Sequence, residues 1–303
     1  MLSFLIPTYN YNCIGLVSSL FHQAKNLQLK YPDDFDFEII VVDDASPEME
    51  FVACYEKILE WEGCRFISLK ENLGRAKVRN FLAAQAKFDY FVFIDCDAEV
   101  CTTDFVAAYW KNRDDADVVC GSLRNPAVCP EGGYLRYVYE KSAEEQRSVS
   151  FRNAHPYTYF TTFNVLFHRS VFDHLQFDER CTEYGYEDAL MGAMLEKKEY
   201  RVAHIENPLV HNGIDPSAVY LTKIETSLRV LNRLGEPLHS ASALIRLKRK
   251  LSSWGVLPAI SLFYRCFYRL LRKNLLSRHP SMSFLKFYKL GYYVEYEKKH
   301  QSH

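Results

Sequence analysis

The stretch Phe91-Val92-Phe93-Ile94-Asp95-Cys96-Asp97 decides how the chain is read. Four apolar residues, two of them aromatic, have the pattern of a buried strand, and the strand runs into two carboxylates flanking one residue. Carboxylates just past the C-terminal end of a parallel strand stand where open α/β sheets bind ligands. Their oxygens are hard donors suited to Mg²⁺ or Mn²⁺, ions often shared with substrate phosphates. Two acids in a turn are also an ordinary loop, so the weight of the motif depends on its surroundings.

The first 120 residues alternate strand and helix patterns. Strands are expected over Leu2–Ile6, Phe37–Val42, Arg65–Leu69, Tyr90–Ile94 and Asp117–Cys120, and helices over Ile14–Leu29, Glu48–Glu60 and Arg75–Lys87. This order belongs to the α/β class: a Rossmann-like, mostly parallel sheet flanked by helices, with right-handed crossovers. The polar loops Pro7–Asn12, Asp43–Pro47, Lys70–Gly74 and Asp95–Glu99 then fall on one edge of the sheet, where their side chains can converge. Further on, helices are expected over Tyr134–Arg147, Glu187–Lys198 and Pro216–Leu234, and strands over Thr162–Phe167 and Arg201–Ile205. Gly235-Glu236-Pro237 marks a boundary. Residues 1–235 are read as one domain in two halves (1–120 and 121–235), which the family resemblance given below makes a catalytic domain with a nucleotide-binding and an acceptor-binding half, and 236–303 as a basic, aromatic, helical extension.

A hydrophobic share of 48% in 303 residues is ample for a packed core. The net charge of −1 hides an asymmetry: residues 244–303 carry 13 Lys/Arg and two acids, leaving 24 Lys/Arg against 36 Asp/Glu before them. Nine scattered cysteines without a CxxC pair fit reduced cytosolic thiols better than a disulfide framework or a zinc site. The N-terminus lacks the basic and apolar regions of a signal peptide, and no window is apolar enough to span a bilayer.

Several short constellations carry chemistry. Asp43 and Asp44 end a strand; one can N-cap the following helix, a reading Ser46 supports, while the other accepts a hydrogen bond from a base imide or ribose hydroxyl. Arg75, Lys77 and Arg79 open a helix, against the macrodipole, where a helix N-terminus already favours phosphate. Lys77 and Arg79 lie on different faces, so only some of these cations can enter one site. Glu187-Asp188 opens a later helix, which the dipole alone rationalises, and a carboxylate beside an acceptor hydroxyl also suits a general base. His211 follows a strand and is read in a loop, structural by itself and a metal ligand if Asp97 binds one.

Taken together, Ser3–Asn10, Val41–Ser46, Asn72–Asn80, Asp95-Cys96-Asp97, Phe177-Asp178-Glu179, Tyr184–Asp188 and Val210-His211-Asn212 resemble the family 2 glycosyltransferases of the GT-A nucleotide-sugar-binding fold, over roughly residues 1–230. The resemblance implies a donor site made of Pro7, Thr8, Tyr9, Asp44, Asn72, Lys77, Arg79, Asp95 and Cys96, with Tyr9 stacking on the base and Asp44 binding it. It implies Mn²⁺ or Mg²⁺ on Asp97, with Asp95 and His211 contributing, Asp188 as general base and Glu187 orienting the acceptor. Relatives often have Trp where this chain has Tyr184. The expected activity is metal-dependent, inverting transfer from a nucleotide sugar, UDP being the common one, to a glycan or lipid-linked acceptor of polysaccharide biosynthesis. A nucleotidyltransferase is the less favoured rival, because Pro7-Thr8-Tyr9-Asn10 is not its glycine-rich basic loop. A catalytically silent, membrane-docked sugar-nucleotide-binding scaffold is the alternative from another class.

The tail interleaves Arg246, Lys248, Arg249 and Lys250, then Arg265, Arg269, Arg272 and Lys273, with Trp254, Phe263, Tyr264 and Phe267. Such helices suit an anionic membrane surface, hence a cytoplasmic protein held peripherally on the inner face of the cell membrane. Packing on the acidic domain or forming an oligomer are the alternatives. No nucleic-acid motif accompanies the cations, and no nucleic-acid partner is expected.

Overall fold

A computed structural model of the protein describes residues 1–48, 50, 52, 55–236 and 238–300. Strands β1 (Leu2–Thr8), β2 (Phe37–Asp43), β3 (Cys64–Ser68) and β4 (Tyr90–Ile94) pair in parallel in the order β3-β2-β1-β4. Side chains alternate across a strand, and here each parity meets its own helical layer. Phe4, Ile6, Ile39 and Val41 pack with Val17 and Leu20 of the Ile14–Lys30 helix. Leu5, Ile40 and Val42 pack with Val78 and Leu82 of the Arg75–Gln85 helix. Coverage of both faces explains why these strands are apolar almost throughout. Of the helix expected over Glu48–Glu60, residues 49, 51, 53 and 54 lie outside the described residues, and Tyr55–Glu60 forms a 3-10 helix.

The sheet continues through β7 (Asn164–His168), β6 (Val118–Arg124), β8 (Val202–His211) and β5 (Ala98–Val100), in that spatial order from β4. β7 runs antiparallel to β4 and β6, β8 is parallel to β6, and β5 is antiparallel to β8. Two expectations need correcting here. The strand expected over Arg201–Ile205 runs on through Pro208, and His211 is its last residue rather than part of a loop. Proline cannot donate to a ladder, and the β6–β8 pairing shifts register between Cys120 and Ser122. Side chains cover the gap: Asn164 Nδ2 donates to Asn207 O at 2.7 Å and to Ser122 O at 3.2 Å, and Tyr109 OH donates to Asn164 Oδ1 at 2.6 Å. The buried Arg152 guanidinium donates to Gly121 O, Ser122 Oγ and Ile205 O at the same irregularity. Unexpected helices cover Phe105–Asn112 and Val149–Asn153.

The extension forms helices over Leu238–Ala241, Ala243–Ser253, Leu257–Leu275 and Met282–His300. One side of it closes a third core, where Leu271, Leu275, Tyr288 and Tyr293 meet Leu221, Leu228 and Leu231 of the Ser217–Leu234 helix. Burial of each such leucine contributes about 1.5–3 kcal/mol, so the residues on either side of position 235 share a core. Trp254, Leu262, Phe263, Phe267 and Leu270 stay exposed. No described helix is long and apolar enough to cross a membrane. The eight described cysteines are free thiols.

Candidate active site

The C-terminal ends of β1, β2 and β4 bring their loops around a cavity of about 470 Å³. Its wall includes Pro7, Thr8, Tyr9, Asp44, Asn72, Arg79, Asp95 and Cys96, eight of the nine residues expected to hold a donor, together with Asp97. Asp44 is buried, and its Oδ1 and Oδ2 accept from the N–H groups of Leu73 and Gly74 at 2.7 and 2.9 Å, while Asn72 Nδ2 donates to Asp44 O. Asp43 instead closes its own turn by accepting from Ser46 N at 3.0 Å. Gly74, at φ +80°, leads into the helix, a conformation glycine adopts without steric cost. The Asp44 clasp thereby fixes the start of the Arg75–Gln85 helix against the cavity.

The cations of that helix divide by face. Residues four apart share a face, so Arg75 and Arg79 both line the cavity. Lys77 is exposed and lines neither this cavity nor the one next to it, so the structure does not bring it to the other residues expected to hold a donor. Arg75, absent from the expected set, is the cation that takes its place. Arg79 is 3% exposed and donates to Asp95 Oδ1 at 2.6 Å. Arg75 donates to Glu187 Oε1 at 3.3 Å and lies 4.8 Å above the Tyr184 ring, with Lys223 Nζ at 5.3 Å from the same ring. Burial keeps the Cys96 thiol well above its ordinary value, so the Asp-Cys-Asp turn presents carboxylates and a neutral thiol.

At the far side of this turn, Asp97 Oδ2 lies 3.3 Å from His211 Nε2, and His211 Nδ1 lies 2.8 Å from Glu140 Oε2. Arg136 reaches both Glu140 and Asp215 and stands 3.1 Å from His211 Nε2. Burial opposes a charge on His211, but its hydrogen bonds to Asp97 and Glu140 prevail and raise it to about 9; both carboxylates are held below their usual range by the same contacts. Glu140 fixes the imidazole through Nδ1 and leaves Nε2 facing Asp97, the arrangement that orients histidine ligands. Among the described residues, no group of three or more His, Cys, Asp or Glu side chains is placed to hold a metal unaided. The donors nevertheless fit a hard divalent ion that shares substrate phosphates. Asp97 Oδ1 is buried without a partner. Gly213 keeps the space beside that carboxylate clear, since a Cβ there would fall 2.6 Å from Asp97 Cγ.

A second cavity, about 830 Å³, shares Arg75, Asp95, Asp97 and Tyr184 with the first and is lined by Glu187, Asp188 and His211. Asp188 Oδ1 accepts from Thr162 Oγ1 at 2.6 Å, and Oδ2 from Thr161 Oγ1 at 3.1 Å and Thr162 N at 3.2 Å. Burial and the adjacent Glu187 raise its carboxyl to about 6, against the opposing pull of Arg79 and Thr162. Gly185 (φ +105°) and Tyr186 (φ +69°) make the turn that delivers Glu187-Asp188, and Gly185 has a second reason to be glycine: a Cβ would fall 3.1 Å from Ser227 Cα. The two functional ends are tied by the sheet, because Ile94 pairs with Asn164 and Asp95 N donates to Phe163 O at 3.2 Å. Sequence reasoning named Arg75 among the cations opening the helix but left it out of the donor set, and it missed Glu140, Arg136 and Lys223. Helical spacing from Arg79 could have found Arg75; the others come together only through tertiary packing.

The model of glycosyl transferase family 2 matches residues 3–176. Chondroitin synthase of Escherichia coli is 25% identical over 250 residues, 71% of this chain and 35% of that protein. A teichoic acid poly(glycerol phosphate) polymerase of Staphylococcus epidermidis is 30% identical over 99 residues, 32% of this chain and 13% of that one. The chain therefore spans at most about a third of these curated relatives. Among solved structures, the mannosyltransferase PcManGT of Pyrobaculum calidifontis in complex with GDP-Man and Mn²⁺ superposes with a TM-score of 0.54 at 17% identity, covering 97% of this chain and 84% of that one. S. aureus TarS residues 1–349 in complex with UDP-GlcNAc gives 0.50 at 16%, covering 99% and 91%. Glucosyl-3-phosphoglycerate synthase of Mycobacterium tuberculosis, with Mn²⁺, UDP and its product, gives 0.51 at 16%, covering 78% and 81%. The fold is thus GT-A with a helical C-terminal extension, and the chain belongs to glycosyl transferase family 2.

Proposed function

We propose that the protein moves a hexosyl or N-acetylhexosaminyl unit from a nucleoside-diphosphate sugar, with uridine as the nucleoside, to a hydroxyl of a glycan or lipid-linked saccharide, with inversion. The observation that carries this reading is the junction of the two cavities along Arg75, Asp95, Asp97 and Tyr184, with donor-recognition groups on one side and Asp188 on the other. Tyr9 stacks on the base and Asp44 recognises it, while Arg75, Arg79 and the helix N-terminus between them and Gly74 hold the diphosphate. Asp188, raised toward neutrality and held by two threonines, accepts the acceptor hydroxyl proton as that oxygen bonds to the anomeric carbon. The anomeric C–O bond breaks in the same step, and the diphosphate leaves with its electron pair beside the fixed cations. Glu187, anchored by Arg75, orients the acceptor. Asp97, with His211 and Asp95, would hold Mn²⁺ or Mg²⁺, which supplies countercharge for the departing diphosphate. Relatives crystallised with GDP-Man and Mn²⁺, and with UDP and Mn²⁺, support the metal and the donor class.

The same reading places the protein on the inner face of the cell membrane. The exposed Trp254, Leu262, Phe263, Phe267 and Leu270 alternate with exposed Lys250, Arg265, Arg269 and Lys273 on the side of the extension not used for packing. Each cation near an anionic surface contributes on the order of 1 kcal/mol. The deciding experiment is a panel of nucleotide sugars with Mn²⁺, reading released nucleoside diphosphate, with Asp97→Ala beside the native protein. Metal-dependent turnover of one donor, lost in the variant, supports the reading. Absence of metal-dependent binding for every donor refutes it.

A further inference from the structure

Beyond the acceptor cavity lies a third one, also about 830 Å³. It shares Tyr139, Tyr186 and Lys289 with the acceptor cavity and no residue with the donor cavity, so the three spaces follow one another, with Asp188 in the middle. The outer groove is walled by both parts of the chain: Tyr139, Tyr157, Tyr186 and Lys197 from the catalytic part, Arg246 and Lys289 from the extension. Lys289 Nζ stands 5.5 Å from the Tyr139 ring, and Arg246, exposed, donates to Ser240 O at 3.0 Å. Among the described residues, Glu196 is the one acid on the wall, against three cations. That balance is opposite to the catalytic part, where acids outnumber Lys/Arg by 36 to 24 over residues 1–243.

Aromatic faces offer broad apolar contact for a sugar ring, and cations beside them pair with anionic substituents. A neutral chain takes only hydrogen bonds from three cations, whereas an anionic chain approaching an acidic surface also gains charge pairing from them. We propose that this groove holds the units of the acceptor behind the attacking hydroxyl and selects a chain with a repeated anion, a carboxylate or a phosphodiester, beside its sugar or polyol units. This deepens the transferase reading, on which the identity of the adjoining cavity rests. It also gives the extension a direct part in substrate choice.

The test is direct binding, which needs no turnover. Fluorescently labelled oligogalacturonate, a glycerol-phosphate oligomer and a neutral malto-oligosaccharide of matched length are titrated with the full chain at low ionic strength. The proposal expects at least one anionic oligomer to bind about tenfold or more tightly than the neutral one, with affinity falling as salt rises. Which one binds separates carboxylate from phosphodiester. Substituting Lys197→Gln, Arg246→Gln and Lys289→Gln together lowers that affinity about tenfold, and Arg246→Gln alone, at an exposed position, lowers it less but in the same direction should the triple variant misfold. Lys286→Gln, an exposed cation on the same helix outside the groove, leaves it unchanged. Equal binding of the neutral oligomer, no binding of any oligomer, or unchanged affinity in Arg246→Gln and the triple variant overturns the proposal. Mn²⁺-dependent nucleotide-sugar binding, measured on the same samples, reports separately on the transferase reading.

Discussion

Gly213→Ala is a one-carbon perturbation whose effect follows from geometry. The new Cβ would stand 2.6 Å from Asp97 Cγ and closer still to its Oδ2, whereas ordinary contacts begin near 3.4 Å. The backbone at Gly213 is not in the left-handed region, so alanine itself is compatible with the chain path. The overlap is relieved by moving the carboxylate about 1 Å or by prising the end of β8 away from Asp97, whose carbonyl accepts from Asn212 N at 2.9 Å. A misplacement of that size in a catalytic group costs about 10²-fold. The expected result is a loss of about 100-fold in kcat/KM for the donor and weaker Mn²⁺ affinity by isothermal titration, with the thermal midpoint little changed. A variant that keeps activity and Mn²⁺ affinity within twofold of the native protein would falsify the assignment of Asp97 to the metal.

Three further outcomes follow from the site and the extension. Asp188 works as a base only when ionised, so activity falls as pH drops through about 6 and levels off above it; Asp188→Asn lowers kcat about 10²–10⁴-fold. Because its folded value is raised, ionising Asp188 costs stability as pH rises from the ordinary carboxylate range to about 6, and the thermal midpoint of Asp188→Asn lacks that contribution to the pH dependence. Arg75→Ala weakens donor binding by about tenfold or more, through the lost charge and the freed Glu187, while Lys77→Ala stays within twofold; the reverse order in a nucleotide-sugar titration would sink the face assignment. Native protein is retained by vesicles containing anionic lipid at low salt, and Trp254→Ser with Phe267→Ser reduces retention severalfold; co-flotation of both proteins to the same extent contradicts the membrane face.

The parallel half of the fold was legible because β1, β2 and β4 are apolar on both faces, and because each ends in a distinctive polar loop. β5 is three residues long, and β8 passes through Asn207-Pro208 across a register shift, so neither has a period to read. The convergence of most residues expected to hold a donor was readable because local motifs carry them to one sheet edge. Glu140 and Arg136 were not, because an interior turn of a helix reveals nothing about the histidine it will meet 71 or 75 residues later. The alternation of cations in the Arg75–Gln85 helix was visible, but which face turned inward depended on where Glu187 lay. Exposed aromatics in the extension could be told from buried ones only after the Ser217–Leu234 helix had taken its share.

The hydrogen-bonded pairing of β4 with β7 holds two parts of the site at a fixed distance. Asp95-Cys96-Asp97 leaves one strand of that pair, and Thr161-Thr162, which grip Asp188, enter the other. In the proposed reaction, the span between the leaving group and the base is therefore set by a ladder rung. The outer groove proposed to hold the rest of the acceptor is walled by loops, helix surfaces and the appended helices. On the proposed reading, a change of acceptor therefore asks for revision of those parts alone, while the sheet keeps the Asp95-Cys96-Asp97 turn and Asp188 at a fixed spacing.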